Sequence, residues 1–112
     1  MMVTCRDLAN LGAVLANDGV APWNGKRLIS SAAATYTKSV MMTTGLYNES
    51  GTYSVKIGIP TKSGVGGGLV AAAPNYGIGI FSPALDQAGN SIAGLSLLEL
   101  LSKELKLDIF KY

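Results

Sequence analysis

The fold is decided by one stretch of the sequence, KSGVGGG at residues 62–68. It follows a stop signal, Gly58–Pro60, and leads into an apolar run, Leu69–Ala73. Three successive glycines cost backbone entropy, so a fold that keeps them needs unusual dihedral angles or a close backbone approach at that point. A lysine and a serine stand at the head of the stretch, and we place the candidate chemistry there.

The composition bounds the class of protein. A chain of 112 residues fits one compact domain or a piece of a larger one. With 48% hydrophobic and 14% charged residues it is not disordered, and the low charge content suggests that part of its surface is covered. The net charge of +2, spread over scattered cations, argues against nucleic acid as a partner. No apolar run approaches the ~20 residues of a membrane helix, so we expect no membrane partner.

Cysteine and histidine usage narrows the chemistry. Cys5 is the only cysteine, which excludes an internal disulfide and favours a reducing cytoplasm. The sequence has no histidine, so Ser-His-Asp, Cys-His and ordinary zinc-hydrolase sites cannot be built from this chain alone. Serine chemistry here would need a lysine or a tyrosine as its base.

Helices are expected at residues 4–17, 31–44, 52–57 and 91–106. Thr4 with Asp7 is a capping signal, and one apolar face follows at helical spacing, formed by Leu8, Leu11, Val14 and Leu15. The segment 52–57 is ambiguous, because its apolar residues also alternate as in a strand, and we favour a short helix. Trp23 is expected to cover the edge of the core.

Strands are expected at residues 61–64, 68–73 and 76–82, in an antiparallel meander. In the third strand Gly77 and Gly79 alternate with isoleucines, so one face is nearly bare and we expect something to pack closely on it. The last helix has a leucine stripe and is expected to cover one face of the sheet. Helices against an antiparallel sheet define an α+β fold.

Several stretches carry a family resemblance in addition. They are VTC at 3–5, LANDG at 15–19, GLY at 45–47, GIPTKSGVGGG at 58–68, SP at 82–83, LDQAGNS at 85–91 and AG at 93–94. In order and spacing, over nearly the whole chain, they resemble the C-terminal third of the serine-dependent glutaminases. The resemblance implies the C-terminal part of a β-lactamase/transpeptidase-like fold.

The resemblance also implies an activity, the hydrolysis of L-glutamine to L-glutamate and ammonia through a serine acyl-enzyme. The family's nucleophile belongs to an upstream Ser-x-x-Lys. No such motif matches here, since Ala33 and Ala34 occupy the offsets that follow Ser30 and Ser31. We therefore expect residues 1–112 to be a fragment that supplies one wall of the site and is inactive by itself. The resemblance implies no metal or organic cofactor, and a dimer or tetramer.

Five positions are carried over from the family. Tyr47 matches a tyrosine close to the nucleophile and substrate, whose phenol could relay a proton where no histidine is available. Val65 matches the residue whose backbone N–H completes the oxyanion hole. Lys62, Ser63 and Gly64 match a substrate-binding motif, in which the lysine sustains a positive field and the hydroxyl bonds a substrate carboxylate or carbonyl. The residues alone leave a structural alternative open for each position. Tyr47 could be a tyrosine that covers the core, Val65 could lie in a plain glycine turn, and Lys62 and Ser63 could be an exposed strand start.

Three other functions are compatible with parts of the sequence. The chain could belong to another β-lactamase-like serine hydrolase, acting on peptides or β-lactams. It could bind phosphate, although its lysine and serine precede the glycines and the loop leads into a strand. It could also be a non-catalytic interaction module.

Overall fold

A three-stranded antiparallel sheet lies between two helical layers in the computed structural model, which describes residues 3–64 and 66–112. The helices are α1 (Cys5–Ala16), α2 (Ser31–Thr44), α3 (Ser50–Lys56) and α4 (Ile92–Leu105), with a 3-10 turn at Tyr47–Glu49 before α3. The strands are β1 (Thr61–Ser63), β2 (Gly68–Ala73) and β3 (Tyr76–Phe81), in the order β1-β2-β3. The predicted α+β class and antiparallel meander are therefore confirmed.

Helix α1 packs on the glycine face of the sheet. In β3, Gly77 and Gly79 pair with Ala72 and Val70 of β2, so a shallow surface faces the helix. A Cβ on Gly77 would lie 2.6 Å from the Cα of Ala13, which leaves no room for a side chain. The prediction of close packing on this bare face is confirmed, and the packing element is α1.

The opposite face of the sheet carries the larger core. Leu69 and Ala71 of β2 form one apolar cluster with Ile80 of β3 and with Leu95 and Leu98 of α4. The predicted cover by the last helix is confirmed. This arrangement leaves β1 at the edge of the sheet, beside the end of α2.

Local capping explains why the helix bounds are close to those predicted. The Thr4 hydroxyl accepts from the Asp7 N–H while the Asp7 carboxylate accepts from the Thr4 N–H. Ser30 and Ser91 likewise accept backbone N–H groups at the starts of α2 and α4. The ambiguous segment is helical, as favoured, and α3 begins two residues earlier than predicted.

Two side-chain predictions are wrong. Trp23 is 57% exposed and does not cover the core, because it lies in a turn at residues 22–24 within a segment, residues 22–30, that is exposed throughout. Leu11 is 52% exposed, although its spacing places it on the apolar face of the first helix. The face of α1 that meets the sheet combines Leu8 and Leu15 with the small residues Gly12 and Ala13.

Within residues 3–64 and 66–112, no helix is both long and apolar enough to cross a bilayer.

Candidate active site

The end of helix α2 lies directly against the edge strand β1. The Ser63 N–H donates to the Gly45 carbonyl at 3.0 Å, which ties the strand to the residue that ends the helix. A Cβ on Gly45 would overlap the carbonyl of Thr61, so only glycine permits this approach. Tyr47 follows two residues later and is thereby held next to β1.

Tyr47 has an unusual backbone conformation. Its φ is +57°, in the left-handed region that a bulky residue adopts only when its surroundings enforce it. Ser50 supplies part of that enforcement, because its hydroxyl accepts from the Leu46 N–H at 3.0 Å and donates to the Tyr47 carbonyl at 2.9 Å. Tyr47 as a whole is 40% exposed, so the residue lies at the surface of this chain.

Three of the predicted site residues come together at this point. The Lys62 ammonium lies 4.7 Å from the centre of the Tyr47 ring, within the range of a cation–π contact. The Ser63 carbonyl accepts from the Tyr47 hydroxyl at 3.4 Å, a long hydrogen bond, and also from the Lys62 ammonium. The Ser63 hydroxyl is buried and has no hydrogen-bond partner among the described residues.

The glycines of the loop between β1 and β2 differ in what the fold requires of them. Gly67 has a φ of +93°, and a Cβ on it would lie 2.8 Å from the Cα of Pro83. A Cβ on Gly64 or Gly66 would meet no described atom within 4 Å, and neither residue has a positive φ. The packing of the described chain therefore explains Gly67 but neither Gly64 nor Gly66. The predicted oxyanion donor, Val65, lies outside the described residues.

A cavity of about 660 Å³ opens beside this loop. Residues 62–64 and Gly66 line its strand side, while Leu8, Val70 and Phe81 line its apolar side. The volume falls within the roughly 300–1,000 Å³ typical of small-molecule sites. Tyr47 does not line this cavity, but Lys62 does and contacts the Tyr47 ring.

A second cavity, of about 540 Å³, lies between α2 and the β2–β3 turn. None of the described candidate residues lines it, and Lys38 is its only ionisable lining group. The cavity at β1 is therefore the better candidate for chemistry.

Two carboxyl groups lie beside the Tyr47 turn and were given no role from the sequence. The main reason why the pKa of Glu49 is raised is that its protonated carboxyl can donate to the Asp86 carboxylate, and the same interaction lowers the pKa of Asp86. Desolvation raises the pKa of Tyr53 nearby. The sequence of residues 85–91 belongs to the family resemblance, and that motif was the only sequence signal for a site near these carboxyl groups.

Comparison with known proteins identifies the family. The family model described as Glutaminase matches residues 1–110 of this chain. The chain belongs to the glutaminase family. It is 61% identical over 112 residues to Glutaminase 1 of Clostridium perfringens. That match covers 99% of this chain and 36% of the relative. It is 56% identical over 109 residues to the glutaminase of Clostridium tetani, covering 96% of this chain and again 36% of the relative.

Solved glutaminase structures share the fold described above. A Bacillus glutaminase crystallised in 4.3 M NaCl superposes with a TM-score of 0.93 at 41% identity, over 96% of this chain and 38% of that one. A Bacillus subtilis glutaminase in covalent complex with 5-oxo-L-norleucine gives a TM-score of 0.94 at 41% identity, over 96% and 40%. These glutaminases have the β-lactamase-like fold, which confirms the predicted class. The chain spans about 36% of the length of the curated relatives cited above.

Proposed function

We propose that residues 1–112 are the C-terminal portion of a glutaminase catalytic domain and form one wall of its active site. The observation that carries this is the meeting of Tyr47, Lys62 and Ser63 beside a cavity that Lys62 and Ser63 line, in a chain of the glutaminase family. The reaction is hydrolysis of the side-chain amide of L-glutamine. The C–N bond breaks, ammonia leaves with an added proton, and water supplies the hydroxyl of the glutamate product.

The covalent step requires a nucleophile that this wall does not contain. A Bacillus subtilis glutaminase forms a covalent complex with 5-oxo-L-norleucine after reaction with 6-diazo-5-oxo-L-norleucine, which is what an enzyme with a nucleophile does. We place the corresponding serine, in a Ser-x-x-Lys, in the part of the domain outside residues 1–112. The chemistry then needs only protein groups, with no metal or organic cofactor.

The wall contributes positioning and charge. In this proposal the backbone N–H of Val65 and the amide of the nucleophile bind the oxyanion, an interaction of about 3–4 kcal/mol in comparable hydrolases. The Tyr47 phenol relays a proton next to the nucleophile. The Lys62 ammonium supplies a positive field, and Ser63 and Gly64 bind substrate polar groups. Gly64 and Gly66, which the packing of the described residues does not explain, are accounted for in this proposal by close approach of substrate.

The apolar side of the cavity favours the proposal that another segment of the domain covers it. Val3 and Phe81 are 53% and 60% exposed in this chain, and both line the cavity. Exposed apolar patches of this kind mark surfaces that another segment covers. We propose that the rest of the catalytic domain packs here and brings its serine to β1. We further propose a homo-oligomer, a dimer or tetramer as the resemblance implies, and a cytoplasmic location, which the single cysteine favours.

The test uses a composite enzyme, in which this chain replaces the matching segment of Glutaminase 1 of Clostridium perfringens. Ammonia release is measured with L-glutamine, and hydrolysis with a chromogenic β-lactam. The proposal predicts turnover of glutamine with saturation and no turnover of the β-lactam. The matched control is the same relative with the segment deleted, which is expected to be inactive.

A composite enzyme that folds but releases no ammonia from glutamine would contradict the proposal. Turnover of the β-lactam in place of glutamine would favour the other class of serine hydrolase. An inert composite, together with binding of the separate 112-residue chain to the segment-deleted relative, would favour the interaction module.

A further inference from the structure

A buried asparagine connects two loops beside the candidate site. Asn90 is 0% exposed, and its side-chain amide nitrogen donates to the Leu46 carbonyl and to the Glu49 carboxylate, both at 2.9 Å. Both partners are acceptors, so the NH₂ end of the amide must face them. The contact joins residues 41 and 44 positions apart in the chain.

The loop that carries Asn90 is itself fixed. One carboxylate oxygen of Asp86 accepts the backbone N–H groups of Ala88, Gly89 and Asn90, at 2.9–3.1 Å. The Asp86 N–H donates to the Asn90 carbonyl at 2.9 Å, and Ser91 caps helix α4 immediately afterwards. Asn90 therefore projects from a rigid support and not from a mobile loop.

The two acceptors of Asn90 flank Tyr47 on both sides. Leu46 precedes it, and its carbonyl also accepts the Glu49 N–H at 3.1 Å, which closes the 3-10 turn. Between them Tyr47 has its left-handed φ of +57°, a conformation that persists only where the surroundings impose it. The amide of Asn90 thus holds both ends of the turn that carries the phenol.

We propose that Asn90 is a positioning residue for glutamine hydrolysis, which fixes the Tyr47 phenol by clamping Leu46 and Glu49. This inference rests on the proposed function of Tyr47. Asp86 fixes the loop of Asn90 and also interacts with the Glu49 carboxyl, which raises the pKa of Glu49 and lowers that of Asp86. The positive charge of Lys56 acts on Glu49 in the opposite sense and lowers its pKa. In this proposal Asn90 acts through the backbone of the turn and does not contact the reacting atoms.

The first test is Asn90→Asp in the composite enzyme. The substitution preserves shape and removes both donors, and a misplacement of the phenol by about 1 Å lowers kcat on the order of 100-fold. KM for glutamine is expected to change much less. The control is Asn48→Asp, the same change at an exposed position of the same turn, which is expected to keep the parent kcat.

A rescue separates positioning from a merely structural role. In the double variant Glu49→Gln with Asn90→Asp, the glutamine amide can donate to the new carboxylate, so the bond forms in the reverse direction. We expect this double variant to recover part of the lost kcat. Asn90→Ala, which is neutral, provides a second variant in case the buried aspartate prevents folding, and it is expected to show the same loss of kcat without rescue by Glu49→Gln.

Hydrogen exchange of the Glu49 amide in the 112-residue chain gives a readout that is independent of turnover. Loss of a hydrogen bond worth about 1 kcal/mol speeds exchange about fivefold to tenfold in the Asn90 variants. Unchanged exchange and unchanged kcat in the folded variants would overturn the inference, as would a loss of kcat that only tracks a loss of stability. If the parent composite is inert while exchange responds as expected, the proposed function fails and the clamp stands.

Discussion

The contact between helix α1 and strand β3 makes the sharpest stability prediction. We expect Gly77→Ala to destabilise the chain, because its new methyl group points into the backbone of α1. The methyl carbon would lie 2.6 Å from the Cα of Ala13. Ordinary carbon–carbon contacts in proteins are about 3.5–4.0 Å, so α1 must move by about 1 Å.

That movement sets the magnitude. Inserting a methyl group into a packed interface costs about 1–3 kcal/mol, and sometimes more. We expect the upper end of this range, because the obstacle is helix backbone and not a flexible side chain. In a domain of about 100 residues, each kcal/mol lowers Tm by roughly 4–8 °C. The assay is urea unfolding followed by far-UV circular dichroism, together with a thermal scan.

The control is Gly51→Ala, the same change inside helix α3, where a Cβ meets no described atom within 4 Å. Alanine is favoured over glycine in a helix by about 0.5–1 kcal/mol, so this variant should be more stable than the parent. Gly79→Ala adds a further check, since its Cβ would lie 2.7 Å from the Ala9 nitrogen on the same helix. Once one methyl has displaced α1, the second should cost less, so the two costs should not add. Unchanged stability in Gly77→Ala, or fully additive costs in the double variant, would refute this account of the helix contact.

Three further predictions concern the site. Tyr47→Phe in the composite enzyme should lower kcat by about 100-fold or more with the circular dichroism spectrum unchanged, and an unaltered kcat would remove the phenol from the mechanism. Gly66→Ala should leave the free energy of unfolding within about 0.5 kcal/mol of the parent while KM for glutamine rises; a destabilised protein with normal KM would show that the fold itself needs this glycine. The raised pKa of Glu49 means that its stabilising contribution is present below the ordinary value of 4.5 and is lost as pH rises through the folded value. Glu49→Gln should therefore gain stability relative to the parent over a range of pH that begins at about 4. Urea unfolding across that range checks it, and a difference that is flat or falls with pH would contradict the shared hydrogen bond with Asp86.

The helix and strand bounds could be predicted because local signals set them. Three helix starts could be predicted from their capping residues, Thr4, Ser30 and Ser91. Each of these side chains accepts a hydrogen bond from the backbone N–H of the residue three positions later. Gly45 ends α2 where predicted. The strand bounds follow similarly from Pro74–Asn75, a turn signal whose asparagine has a φ of +67°.

Hydrophobic spacing predicted only part of the side of α1 that faces the sheet. Leu15 is buried against β2 as its spacing implies, but the same spacing also selects Leu11, which is exposed. The face that meets the sheet also contains Gly12 and Ala13, which approach closely because glycines of β3 lie opposite, more than 60 positions further along the chain. Small residues on a helix carry no signal of burial until their partner is known.

In the candidate site too, some features could be predicted from the sequence and others could not. Tyr47 and Lys62 could be chosen from the sequence by resemblance, but their proximity depends on the approach of Gly45 to Thr61. Asn90 attracted no functional interpretation, because its two partners lie more than 40 residues away in the chain. Long-range hydrogen bonds of a buried side chain have no local pattern from which they could be predicted.

The central claim is that this chain supplies a wall and not a complete site. Ammonia release from L-glutamine should therefore be measured for the 112-residue chain alone and for the composite enzyme, at several protein concentrations. We predict turnover by the composite enzyme, proportional to its concentration, and none by the chain alone. Turnover by the purified chain that scales with its own concentration, or a folded composite that releases no ammonia, would contradict the claim.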